Sequence, residues 1–211
     1  MTRLIKYAGT LITFCLMLTL VFAQGKKDMI SANNALGDGD YSKAMELIDR
    51  AFEDPEMETN PRAHMYRGKI YTSMLIDTAD MEKPSNAVEI AKTSLMKAID
   101  TDVKGKYDKA IAEQFKKLAI YSYNDGVNSV RAEDIARAYT SFGNTVEIND
   151  ILFQRGEALQ DTNAMYWEGV TAYYVGKKEE GIDRLNEVLD MGYDLPFVYQ
   201  KAIEIAKVEE S

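Results

Sequence analysis

The sequence has almost none of the residues that usually carry covalent or metal chemistry. It contains one cysteine, Cys15, and one histidine, His64. A disulfide needs two cysteines, and ordinary zinc or thiol-nucleophile sites combine several cysteine and histidine side chains. The Asp-Gly-Asp segment at 38–40 lacks the other ligands of a calcium loop, and no glycine-rich phosphate loop follows a strand. We therefore predict a protein that is not an enzyme and that binds no metal or cofactor.

Basic residues are also in short supply. There are 25 Lys and Arg against 34 Asp and Glu, which gives a formal net charge of −9. Nucleic-acid phosphates and anionic membrane surfaces attract basic proteins, so we expect no nucleic-acid partner. The acidic residues at 53–58 and the Lys-Lys-Glu-Glu run at 177–180 are typical of turns and solvated faces. A hydrolase that works through paired carboxylates is nevertheless kept as a third hypothesis.

Proline is rare, and alternating strand patterns are nearly absent. The chain has four prolines, and the long stretches between them are rich in Ala, Leu, Met, Glu and Lys, which favour helices. Apolar residues recur at helical spacing, for example Ala44, Ile48 and Ala51. The sequence therefore predicts an all-α fold.

Several residues mark the ends of the predicted helices. Asn60-Pro61 places a capping side chain before a proline at the first helical position. Asn86 and Glu89 have the spacing of a capping box. Gly39 and Gly176 lie in short polar turns, where glycine permits the left-handed conformation that ends a helix.

The first residues have the features of an export signal. Arg3 and Lys6 precede an apolar run over 11–23, and small residues at Val21 and Ala23 predict cleavage before Gln24. The run is shorter than the roughly 20 residues that cross a bilayer. We expect residues 1–23 to be a signal peptide and 24–211 the mature domain, periplasmic or secreted, without a membrane span. The alternative is an uncleaved anchor.

Small residues recur in pairs along the chain, and we expect each pair to mark the place where two helices cross and approach closely. A small residue on one predicted helix lies twelve positions before another on the next helix, and apolar residues follow this second residue at +4 and +7. In the second pair the separation is twenty-three, so about eleven extra residues near 76–86 are expected to enlarge the turn. The pairs are Ala32 and Ala44, Gly68 and Ala91, Gly126 and Ala138, and Gly169 and Gly181.

This pattern resembles the tetratricopeptide repeat, a helix–turn–helix unit. The segment 39–51 is close to the family's turn and second helix, and Gly68 with Tyr71 and Trp167-Glu168-Gly169 match its first helix. The resemblance implies a right-handed α-α superhelix, a solenoid of about four helix pairs plus a C-terminal capping helix. The units would cover about 26–56, 61–101, 119–149 and 162–192, with the cap at 196–208. Preceded by a signal peptide, such repeats are similar to exported proteins of Gram-negative bacteria.

In this family, three residues of each first helix line a concave groove. They lie three before (−3), one after (+1) and four after (+4) the small residue at which that helix crosses its partner, which we call the crossing residue. Some members hold a C-terminal carboxylate there with a lysine–asparagine clamp. Here the clamp positions hold Met29, Asn33 and Tyr66, and Lys69 is the one basic residue nearby, which disfavours that mode. Aromatic residues favour binding surfaces, although a helical aromatic stripe also packs as core. The candidate partner-binding residues are Asn33, Lys69, Tyr123, Val127, Tyr166, Val170 and Tyr173.

Two main hypotheses for function follow. The first is a non-catalytic interaction scaffold of the bacterial envelope that binds a peptide or protein partner in the groove. The alternative is a small-ligand or glycan-binding subunit that uses Tyr166, Trp167, Tyr173 and Tyr174 for stacking. The sequence leaves the identity of the partner and the oligomeric state open.

Overall fold

A computed structural model describes residues 24–77 and 83–194 of the chain, and every regular element in those two ranges is a helix. This confirms the predicted all-α class. No helix in the described ranges is both long enough and apolar enough to cross a membrane. The elements are α1 (24–37), α2 (Tyr41–Ala51), a 3-10 helix (Pro55–Thr59), α3 (Pro61–Asp77), α4 (Ala87–Thr101), α5 (Asp108–Arg131), α6 (Ile135–Gln154), α7 (Thr162–Tyr174) and α8 (Lys178–Asp190).

The chain divides into two compact units, Met1–Gln114 and Phe115–Ser211, and the boundary falls within α5. In the first unit α3 packs against both α2 and α4, and in the second α7 packs against both α6 and α8. The predicted signal peptide at 1–23 and the predicted capping helix at 196–208 lie outside the described residues. So does part of the predicted insertion, residues 78–82.

Three tight turns share one backbone pattern. Gly39 and Gly176 adopt the predicted left-handed conformation, with φ of 77° and 92°, and Glu133 occupies the matching place with φ of 61°. Each turn is closed by a bond from the next N–H to the carbonyl five residues earlier, as in a Schellman motif. These bonds run from Asp40 N to Ala35 O, from Asp134 N to Ser129 O and from Lys177 N to Ala172 O, at 2.9, 2.9 and 3.0 Å.

Aspartates cap two second helices, α2 and α6, and one first helix, α7. The Asp40, Asp134 and Asp161 carboxylates each accept a bond from the backbone N–H three residues on, which satisfies a free donor at a helix start. The predicted cap at Asn60 is confirmed, because its Oδ1 accepts from Arg62 N at 3.0 Å. Sequence reasoning did not single out the aspartates as caps.

The predicted capping box at Asn86 is wrong. Its side chain makes no capping bond at the start of α4. Glu89, which should have reached back to it, instead pairs with Lys92 at 2.9 Å and accepts from Thr93 Oγ1 at 2.9 Å. Both partners lie one helical turn ahead on the same face, so the carboxylate is engaged within α4.

The crossing glycines lie against the second helix of their own pair. A Cβ added at Gly68 would lie 2.5 Å from Leu95, one at Gly126 would lie 2.8 Å from the Phe142 ring, and one at Gly169 would lie 3.0 Å from Leu185. In each pair the contacted residue is the apolar one at +4 from the small residue of the second helix. The close approach predicted for these positions is therefore confirmed, pair by pair.

The second and third pairs differ from the others in length. Residues 78–86 separate α3 from α4, whereas three residues separate the helices of each other pair. Helix α5 begins at Asp108, although the third unit was predicted from about 119. Its added turns carry the buried residues Ile111, Phe115 and Leu118, and this apolar face favours continuing the helix.

Candidate groove surface

In the first unit, the structure brings two candidate residues together. The Lys69 ammonium donates to the Asn33 side-chain oxygen at 3.3 Å, and both side chains are half-buried. Both occupy the +1 position, on α1 and on α3 respectively. Equivalent positions of consecutive first helices therefore lie side by side, as a common wall requires.

The opposite side of α3 is fixed to α2. Asp49 accepts from Tyr71 Oη at 2.6 Å and from Arg67 Nε at 3.0 Å. Burial raises the pKa of the Tyr71 hydroxyl far above its ordinary value, and the bond to the Asp49 carboxylate raises it further. These hydrogen bonds hold one face of α3 against α2. The Lys69 side chain lies on another face of α3, toward α1.

In the second unit, Tyr123 of α5 contacts the start of α7. The Asn163 side-chain nitrogen donates to the Tyr123 oxygen at 2.5 Å, and Tyr193 Oη donates to the Asn163 oxygen at 3.1 Å. Burial raises the pKa of Tyr123, and the negative charge of Asp161 adds to the shift. Asn163 thus joins two tyrosines and links α5 to the first turn of α7.

Two candidate residues are buried. Tyr166 is 8% exposed and Val170 is 4% exposed, and both pack with Leu185 in one cluster. The Tyr166 ring stacks on Tyr193, with centroids 5.4 Å apart, and meets the edge of Trp167 at 5.2 Å. These two side chains form part of the core of the second unit, which is the alternative that the aromatic stripe had suggested.

The other two candidates keep part of their surface open. Val127 and Tyr173 are half-buried. The Tyr173 ring lies 5.9 Å from Tyr174 and 5.8 Å from the Lys178 ammonium, and Tyr174 itself is 66% exposed. The candidate residues that keep accessible surface are therefore Asn33 with Lys69 in one unit, and Tyr123, Val127 and Tyr173 in the other.

The aromatic cluster invoked for glycan stacking is largely occupied within the protein. The Trp167 indole stacks on Phe142, with centroids 6.0 Å apart and planes 18° apart, and Tyr166 covers its edge. A sugar needs an open ring face for stacking. Of the four residues proposed for that role, Tyr166 is buried, Trp167 and Tyr173 are half-buried, and Tyr174 is exposed.

Sequence reasoning missed an acidic cleft between α7 and α8. Its volume is about 440 Å³, and at its base Glu168 pairs with Arg184 at 2.7 Å. Burial raises the pKa of Glu168, and it also raises that of nearby Asp150. The Lys-Lys-Glu-Glu run at 177–180 indicated only a solvated face. In the described ranges, no group of three His, Cys, Asp or Glu side chains has an arrangement that could hold a metal ion.

His64 is buried and its ring contacts groups of the protein interior. It is 5% exposed, its Nε2 lies 2.9 Å from the Glu58 carbonyl oxygen, and its ring lies 4.9 Å from Phe52. The carbonyl belongs to the 3-10 helix, so the imidazole ties that helix to α3.

Comparisons with protein families, with curated proteins and with solved structures find no match for this chain.

Proposed function

We propose that this protein is a non-catalytic interaction scaffold of the bacterial envelope. In this proposal, about four helix pairs stack as a right-handed tetratricopeptide-like superhelix after export. The concave face then binds an extended peptide or a segment of another protein. The observation that carries the proposal is the lateral contact between the +1 positions of α1 and α3, Asn33 and Lys69, in the first unit.

Regular helix-pair geometry supports the superhelix. Three crossing glycines contact the residue at one repeated register of the partner helix, and three turns share the same Schellman bond. A helix pair of this size cannot bury its apolar face alone, so neighbouring pairs stack to cover it. Repetition of one local geometry along a chain is what builds such a stack.

The chemistry of the open positions favours a peptide. Asn33 offers an amide and Lys69 an ammonium, and such groups can bond peptide carbonyls and carboxylates. Val127 and Tyr173 offer apolar surface in the other unit. A segment with an exposed backbone and occasional apolar side chains matches this mixture better than a sugar does, because Trp167 and Tyr166 are already stacked internally.

Site-specific photocrosslinking in the native cell tests the proposal. A photoreactive amino acid replaces Val127, and the matched control replaces Ile120, a 63% exposed apolar residue of the same helix. We expect a discrete adduct from Val127, none from Ile120, and loss of the Val127 adduct when Tyr173→Ala, in the same unit, is added. Equal adduct patterns at 127 and 120, or none at 127, would rule out binding at this surface.

A further inference from the structure

One buried carboxylate oxygen has no donor within the described ranges. Asp54, which precedes the 3-10 helix, is 2% exposed. Its Oδ1 accepts from Glu56 N at 3.0 Å, but its Oδ2 is buried without a hydrogen-bond partner. Burying a charged oxygen is costly unless a donor or an opposite charge compensates it. The site therefore has the chemistry to receive a cation with N–H donors.

The neighbouring cations are bound to other carboxylates. The Lys26 ammonium of α1 is attracted by the Asp54 charge, but its ion pair is with Glu56, at 2.6 Å. Arg50 of α2 binds Asp28 through two bonds, at 2.8 and 2.9 Å. Neither cation supplies the missing donor to Asp54 Oδ2.

Gly25 brings the backbone of α1 against this carboxylate. A Cβ added at Gly25 would lie 2.5 Å from both Cβ and Oδ2 of Asp54, so only glycine permits the approach. Gln24 is the residue directly before Gly25, and consecutive Cα atoms are about 3.8 Å apart, so Gln24 is the next residue along the chain from this contact. Gln24 is the residue that signal-peptide cleavage would make the first of the chain.

We propose that the Asp54 carboxylate is the binding site for the α-ammonium group of Gln24 in the mature protein. This inference rests on the proposed export. Hydrolysis of the Ala23–Gln24 peptide bond consumes one water, leaves a carboxylate on Ala23 and frees the amine of Gln24, which takes up a proton. The new ammonium then donates to Asp54 Oδ2 and fastens Gln24 to the segment between α2 and α3.

This ion pair has a chemical consequence for the N-terminal glutamine. A free glutamine amine attacks its own side-chain carbonyl carbon, a C–N bond forms, and ammonia leaves. Only the unprotonated amine has the electron pair for this step. Because the Asp54 carboxylate favours the protonated form, it slows the cyclisation.

The test uses the full chain expressed with its signal in a Gram-negative host. The exported protein is purified, its first residue is identified by sequencing, and its α-ammonium group is titrated through the Gln24 Hα resonance by NMR. We expect Gln24 first and an α-amino pKa above its ordinary value, restored to ordinary by Asp54→Asn, which keeps the cap to Glu56 N. Glu58→Gln, which removes an exposed charge from the same 3-10 helix, should leave the raised pKa in place.

A second measurement does not depend on resonance assignment. Mass spectrometry follows the loss of one ammonia over time, and we expect cyclisation several-fold faster in Asp54→Asn than in wild type or Glu58→Gln. An ordinary α-amino pKa in wild type, or equal cyclisation rates in all three proteins, would overturn the ion pair. A first residue other than Gln24 would show that cleavage does not create this ammonium group, and the ion pair would be overturned. Crosslinking at Val127 would still test partner binding in the groove independently.

Discussion

At the residue scale, Gly181 has no room for a side chain. A Cβ there would lie 2.7 Å from the Gly169 carbonyl oxygen and 2.7 Å from the Tyr173 nitrogen. Both neighbours are backbone atoms, which cannot turn aside as a side chain can. The small residues found by the sequence pattern are therefore required by backbone contact at this crossing, and by side-chain packing against Phe142 at Gly126.

We expect Gly181→Ala to lower the free energy of unfolding by about 1–3 kcal/mol, because overpacking there forces a helix to shift. The matched control is Gly143→Ala on α6, where the nearest atom to an added Cβ is Glu168 Oε1 at 3.4 Å. That substitution should be neutral or stabilise by up to about 1 kcal/mol through helix propensity. Urea denaturation measures both, and equal effects would refute the packing account.

Asp28 gives the pH dependence that can be checked most directly. Its carboxylate is buried, and the bonds from Arg50 lower its pKa from the ordinary 3.8, with a further contribution from the Gln24 amide. As the pH falls from the ordinary pKa of 3.8 toward the lower pKa of the folded protein, the unfolded state binds the proton first. The stability that the Asp28 carboxylate contributes above pH 3.8 is therefore lost below it. Asp28→Asn lacks this titration.

We therefore expect the stability difference between wild type and Asp28→Asn to be constant near neutral pH and to shrink as the pH falls below about 4. Urea midpoints measured across this range give the result. A difference that stays constant down to the acid limit of folding would show that the Arg50 pair makes no pH-dependent contribution.

At the element scale, the turns show which features can be read from sequence. Gly39 and Gly176 were predicted correctly because glycine is the residue that favours positive φ. Glu133 holds the same conformation without such a signal, so its turn was found only through the spacing of Gly126 and Ala138. The Asn86 capping box failed because Lys92 and Thr93 compete for the Glu89 carboxylate, and a capping motif gives no information about competing partners.

Glu133 offers a test of the shared turn. Its Cβ makes the left-handed conformation unfavourable, so we expect Glu133→Gly to stabilise the protein by about 0.5–1 kcal/mol. Glu133→Ala removes the same charge but keeps the Cβ, and it should not stabilise. A gain in urea midpoint for Ala equal to that for Gly would indicate a charge effect in place of a conformational one.

At the scale of the whole molecule, sequence periodicity predicted the helix class and the crossing contacts but only part of the candidate surface. Asn33 and Lys69 meet as equivalent positions of a wall should. Tyr166 and Val170 are core residues, because an aromatic or apolar position beside a crossing glycine can turn toward its own pair as readily as toward a groove. Periodicity places a residue on a helix face, whereas its neighbours decide what covers it.

The +1 positions of α1 and α3, Asn33 and Lys69, share one wall, and paired cysteines test this contact most directly. Cys15 is the only cysteine of the chain and lies in the predicted signal peptide. Crosslinks in the mature protein would therefore come from the introduced cysteines alone. We expect Asn33→Cys with Lys69→Cys to be joined rapidly by a short bismaleimide. Asn33→Cys with Arg67→Cys should not be joined, because Arg67 faces Asp49 of α2. Crosslinking of the 33/67 pair as fast as the 33/69 pair would contradict the account.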